Sequence, residues 1–179
     1  MEEPHLQSIQ VRLADHLVPL HFLRLAAGPA LDGFPGAEPL CTTDGHLLAA
    51  HRGQTLLEFN RQHGLLQAPL WPTRLSIDAK RCRRALARAH SGWSGTIRGD
   101  LVAMDDLLFD AAASLNEPSA AEAISDRGGF HGLHAYVWGQ VDQPPAVNRR
   151  LWWWDQQMHW LNAHTRVLDP HHGRPAHRR

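Results

Sequence analysis

The chain has 179 residues, 43% of them hydrophobic and 20% charged, a balance that excludes a disordered or collagen-like polymer and allows a sizeable core. Eighteen basic and eighteen acidic side chains cancel, which excludes the strong overall field of a polyanion-coated protein and leaves only local charge to argue for partners. The length suits one globular domain over 1–168, followed by a polar, Pro-broken tail, 169–179, that reads as a disordered basic and His-rich segment.

A single lysine, Lys80, stands against seventeen arginines, a bias that reads as GC-rich bacterial coding, and the fourteen histidines make the chain unusually His-rich. Cys41 and Cys82 form no CxxC pair and allow at most one disulfide, which points to a reducing compartment. Glu2 and Glu3 stand where an export signal carries positive charge, and the apolar stretch 16–27 is too short to span a bilayer. The expectation is a cytoplasmic protein without a membrane partner.

Alternation of Ile9, Val11 and Leu13 suggests a short strand, while Leu13, Leu17, Leu20 and Leu25 fit a helix kinked at Pro19; both stay open. Residues 28–44 read as a Pro- and Gly-containing loop, and a turn at Thr43-Asp44-Gly45 leads into the apolar pair Leu47 and Leu48. A helix over about 55–63 stops at Gly64. Ser76 is a plausible N-cap for a helix to about His90, with Ala79, Cys82, Ala85, Leu86 and Ala89 on one side and Lys80, Arg81, Arg83, Arg84 and Arg88 on the other. After a Gly-rich link, Asp100 is a candidate N-cap for a helix to Leu115. A short helix over 119–126 follows, and 130–139 fits a strand by composition and a helix by spacing. Pro144 and Pro145 introduce the longest helix, about 146–166, with a stripe of Val147, Leu151, Trp154, Met158, Leu161 and Thr165. These elements predict a mainly α fold of four or five helices with a small N-terminal β element; an α+β domain is the runner-up.

Charge is segregated: residues 1–90 carry a net +2, 91–148 a net −6, and 149–179 a net +4. Lys80, Arg81, Arg84 and Arg88 form a stripe suited to phosphate or nucleic-acid contacts, against the plainer reading of a solvated face bridging to Asp105, Asp106 and Asp110. His131 and His134 are three apart and Asp155 and His159 four apart, which offers a ligand set for a divalent metal such as Zn. No HExxH, GxSxG, GxxxxGK or GxGxxG accompanies them, so a standard zincin motif, nucleophilic serine catalysis and standard nucleotide enzymes are disfavoured. Trp152, Trp153 and Trp154 are consecutive and point about 100° apart. With Trp154 in the core, Trp153 and Trp160 return to a common direction, with Arg149 and His164 nearby. They form either a second, partner-facing aromatic surface or an internal layer.

The favoured function is a non-enzymatic bacterial accessory or regulatory protein without a cofactor. It binds a macromolecular partner, a homodimer mate in the simplest case, through Trp153, Trp160, Arg149 and His164. The alternative is a metal-dependent enzyme, a hydrolase, built on His131, His134, Asp155 and His159.

Overall fold

The computed structural model describes residues 3–29, 31–88, 93–120, 136 and 145–168. The metal candidates His131 and His134, the segment 130–139 except Tyr136, most of 119–126 and the tail lie outside the described residues. Among the described residues six strands make one mixed sheet: β1 (His5–Arg12), β2 (Leu20–Ala26), β3 (Thr42–Thr43), β4 (His46–Ala50), β5 (Leu70–Asp78) and β6 (Thr165–Leu168). The order is β3-β4-β2-β1-β5, with β6 also paired to β4. The helices are α1 (Gly53–His63), α2 (Ala79–Leu86), α3 (Gly95–Ser114) and α4 (Val147–Ala163).

The mainly α expectation is overturned: the fold is α+β, around a substantial sheet. The central pairs are β1 antiparallel to β2, from His5↔Ala26 to Val11↔Leu20, and β1 parallel to β5, ending at Arg12↔Asp78. Residues 9–27, which fit two readings in sequence, are thus mostly a hairpin. β5 was invisible because Pro72 argues against a strand; it is tolerated here where β5 has a strand neighbour on one side only among the described residues. Ser76 lies inside β5, and Asp78 is the N-cap of α2, its side chain accepting the Arg81 N–H at 2.8 Å. Likewise Ser94, not Asp100, caps α3, so the Gly-rich link contributes the first turn of that helix. Thr165 belongs to β6, which pairs with β4 from Leu47↔Thr165 to Ala50↔Leu168.

The two faces of the sheet bury different residues, as a period of two requires. Ile9, Val11, Leu20, Phe22, Leu47 and Ile77 pack against α2, α3 and α4 in the main core. Leu6, Leu23, Leu48 and Ala50 pack beneath α1 through Leu56, Leu57 and Phe59. Gly64 ends α1 in the left-handed region, at φ 63°, where a residue without Cβ carries no penalty.

Candidate functional site

The aromatic residues of α4 lie on a different face from the one the sequence stripe implied. Buried positions are Arg150, Trp153, Trp154, Gln157 and Leu161, while Val147 is exposed and Leu151 and Met158 are half-buried. The buried face is therefore rotated toward Trp153, which is 4% exposed. Its indole belongs to the main core and is not offered as a partner anchor. Trp160 is half-buried, its Nε1–H donating to Glu117 at 3.3 Å, and the same carboxylate lies 3.3 Å from His164 Nε2. Trp160 and His164 thus clasp the end of α3, and Arg149 is exposed at the start of α4. The physical reason is that α4 packs against both α2 and α3, so two adjacent sectors of the helix are covered.

The basic face of α2 is divided among different partners. Arg81 is paired with Asp100, and Arg83 makes a two-pronged pair with Asp155 at 2.7 and 2.8 Å. Asp110, offered as a bridge to this face, instead accepts from Arg24 at 3.0 Å and from the Glu38 N–H at 2.8 Å. Arg84 and Arg88 are exposed and Lys80 is half-buried, so the stripe left for an anionic partner is narrower than the sequence suggests.

The pair Asp155 and His159 does lie together, beside a cleft of about 480 Å³ shared with Asp15, Trp154 and Asn162. Both Asp155 oxygens are engaged by Arg83, which holds the carboxyl below its ordinary pKa. No group of three or more metal-ligating side chains occurs among the described residues. Both cysteines are buried and free, and burial raises each thiol pKa to about 12, far from a nucleophile's range.

The surface that sequence reasoning missed is the corner where β5 begins. Leu70 and Trp71 are 49% and 41% exposed, large apolar side chains on the strand that is outermost among the described residues. Trp71 is held by an edge-on contact with His5, ring centroids 3.8 Å apart. Leu70 borders two clefts. One, about 470 Å³, lies toward α1 with Leu57 and Leu66 in its wall; the other, about 390 Å³, is framed by Pro4, Pro69 and Pro72. The sequence signal was the Pro-Leu-Trp-Pro run at 69–72, outside every helix stripe.

No helix among the described residues is long and apolar enough to cross a membrane. No family model and no curated protein sequence matches this chain. Among solved structures, the crystal structure of the SatS C-terminal domain in complex with bromine is similar to it: the TM-score is 0.62 at 13% identity, with 91% of this chain and 94% of that chain covered. At that identity the likeness is one of fold.

Proposed function

We propose that the chain is a non-enzymatic accessory or regulatory protein that binds an extended apolar segment of a partner protein at the β5 corner. The observation that carries this reading is the exposure of Leu70 and Trp71 between two clefts on β5, the outer strand among the described residues. An outer strand presents main-chain donors and acceptors to an added strand, and clefts on either side of one residue accept alternating side chains. Trp71 adds a large contact area that His5 already holds in place, so little rotamer freedom is lost on binding. The proline-rich frame limits motion of the second cleft in the same way.

The test is a fluorescence titration with unstructured peptides of about ten residues that alternate apolar and polar side chains. Saturable binding is expected. Trp71→Ala should weaken it by about 2 kcal/mol, roughly thirtyfold, as for a central aromatic anchor. Trp152→Ala, on α4 and outside both clefts, should leave the affinity unchanged. If the parent ignores every peptide but sediments as a dimer that Trp71→Ala splits, the corner joins two copies of this chain instead. If neither behaviour is seen, the corner is not a recognition surface.

A further inference from the structure

On the α1 face of the sheet, strand register brings several polar side chains together beside the start of that helix. Ser8 on β1 is opposite Arg74 on β5, and His21 on β2 is opposite both Gln10 on β1 and Ala50 on β4. Leu6, Leu23 and Leu56 fill the other half of this face, so the polar half is distinct from the small core under α1. The next residues after Ala50 are His51 and Arg52, and then α1 begins at Gly53.

The start of α1, like that of α4, has no side-chain cap. Its N-cap, Arg52, makes no side-chain cap hydrogen bond, and no acidic residue occupies the first turn. A helix N-terminus in that state presents unsatisfied N–H groups and the positive end of the helix dipole. The main chain itself closes one bond there, Thr55 N–H to Arg52 O at 3.1 Å. Arg52 and Arg74 enter no ion pair among the described residues, and the His16 and His51 rings lie 6.2 Å apart on the same side.

A second observation points to a ligand independently of the helix. His21 is 6% exposed, and its Nδ1 is buried with no hydrogen-bond partner among the described residues. That nitrogen faces Gly53: a Cβ on Gly53 would stand 3.3 Å from Nδ1 and 3.7 Å from Ser8 Oγ. Burial, Arg74 and His51 hold the imidazole below its ordinary pKa, so the neutral ring has one N–H to give. Buried polar atoms are nearly always satisfied, and an orphan beside a bare helix start needs an explanation.

We propose that the N-terminus of α1, with Ser8, His21 and Arg74, binds a phosphate group, free or carried as a monoester on a small molecule. An oxygen seated between Ser8, Gly53 and the imidazole gives His21 Nδ1 the acceptor it lacks. Arg74 supplies a forked charged donor, and the first N–H groups of α1 supply further donors. Donors converging from a strand hydroxyl, a ring, a guanidinium and a helix end suit a tetrahedral oxyanion better than a planar carboxylate. The site is separate from the β5 corner and does not depend on peptide binding there.

The experiment titrates the full chain with inorganic phosphate, and separately with phenyl phosphate, at constant ionic strength with chloride as the balancing ion. Saturable shifts are expected at the Gly53 and Gln54 amides and at the His21 ring nitrogens. Arg74→Gln, a change at an exposed position, should weaken binding by about tenfold, the loss of one charge-assisted contact. Tighter binding of phenyl phosphate would assign the site to a monoester, and equal binding to the free ion. Shifts that rise without saturation, that chloride reproduces, that spare His21, or that Arg74→Gln leaves unchanged would overturn the proposal.

Discussion

Arg150 is the residue whose removal should reveal most about how the helices are joined. It is 3% exposed, yet its guanidinium is not in an ion pair among the described residues. Instead Nε donates to Leu86 O, Nη2 to Arg88 O, and Nη1 to Pro145 O at 3.3 Å. Leu86 is the last residue of α2, so a cation from α4 sits at the negative end of the α2 dipole and satisfies carbonyls that the helix leaves open. The neighbouring Ala85 carbonyl is taken by Arg88 N–H and by the Trp93 indole at 3.0 Å, and the guanidinium lies 5.7 Å from the Trp93 ring centroid.

Arg150→Met keeps the aliphatic packing and deletes every donor. The two bonds to the Leu86 and Arg88 carbonyls, charge-assisted and worth roughly 1.5 to 3 kcal/mol each, give a gross loss of about 3 to 6 kcal/mol, the long third bond to Pro145 adding little, and relief of a buried charge offsets part of it. The net expectation is a destabilisation of about 2 to 4 kcal/mol, read from the urea midpoint at unchanged slope. Arg150→Lys retains the charge but not the fork, and should fall between parent and Met variant. Amide exchange should accelerate first in α2. A Met variant within about 0.5 kcal/mol of the parent, the range of an ordinary surface change, would refute the capping role.

Three further outcomes follow from buried groups. Asp110 has its pKa raised to about 6, chiefly by burial, with Arg24 and the Glu38 N–H opposing, so its carboxyl carbon should titrate near that value. Because this acid is raised above its ordinary 3.8, the folded state holds more protons between about pH 4 and 6. Stability of the parent relative to Asp110→Asn should therefore rise as pH falls through that window, by up to roughly 3 kcal/mol; a flat difference would show the site to be solvated. Cys41 and Cys82 should resist thiol reagents at pH 8 and react only at the rate of unfolding; fast labelling of the native chain would contradict their burial. Trp153→Ala and Trp154→Ala should each cost about 3 to 5 kcal/mol in denaturant unfolding, since both indoles are buried, whereas Trp152→Ala should cost under about 1.

The elements most legible in the sequence were those with a single amphipathic face and a conventional stop. α1 ends at Gly64 as its pattern requires, and the small-residue side of α2, from Ala79 to Leu86, is the side that enters the core. The sheet was much harder to see. β1 shows its alternation at Ile9 and Val11 but competes with a helical reading that runs on from Leu13, while β2 carries apolar residues on both faces because helices cover both, so no clean alternation marks it. β5 combines Pro72 with Arg74 and Ser76, and only its parallel partner β1 makes it a strand. β6 follows α4 after one residue and reads as that helix's last turn. The β5 corner lay in the stretch between two helices that had no periodicity to read.

Charged residues misled the reading for a related reason. A helical wheel assigns them to solvent, but a partner from a distant segment can bring them inside. Arg150 does so by ending α2, Asp100 by meeting Arg81, and Asp110 by meeting Arg24 and the Glu38 main chain. Each is satisfied within the chain, and each has a structural job that leaves nothing over for a ligand. His21 Nδ1 differs in kind: it is as buried as those groups, yet nothing among the described residues completes it. Arg74 and Arg52 beside it are cations that enter no ion pair among the described residues, in a chain whose total charge is balanced. The fold pairs Arg24, Arg81 and Arg83 and caps α2 and α3 with Asp78 and Ser94; of the two uncapped helix starts, those of α1 and α4, it is α1 that has the orphaned His21 Nδ1 beside Gly53, and there an external anion does the work that side chains do elsewhere.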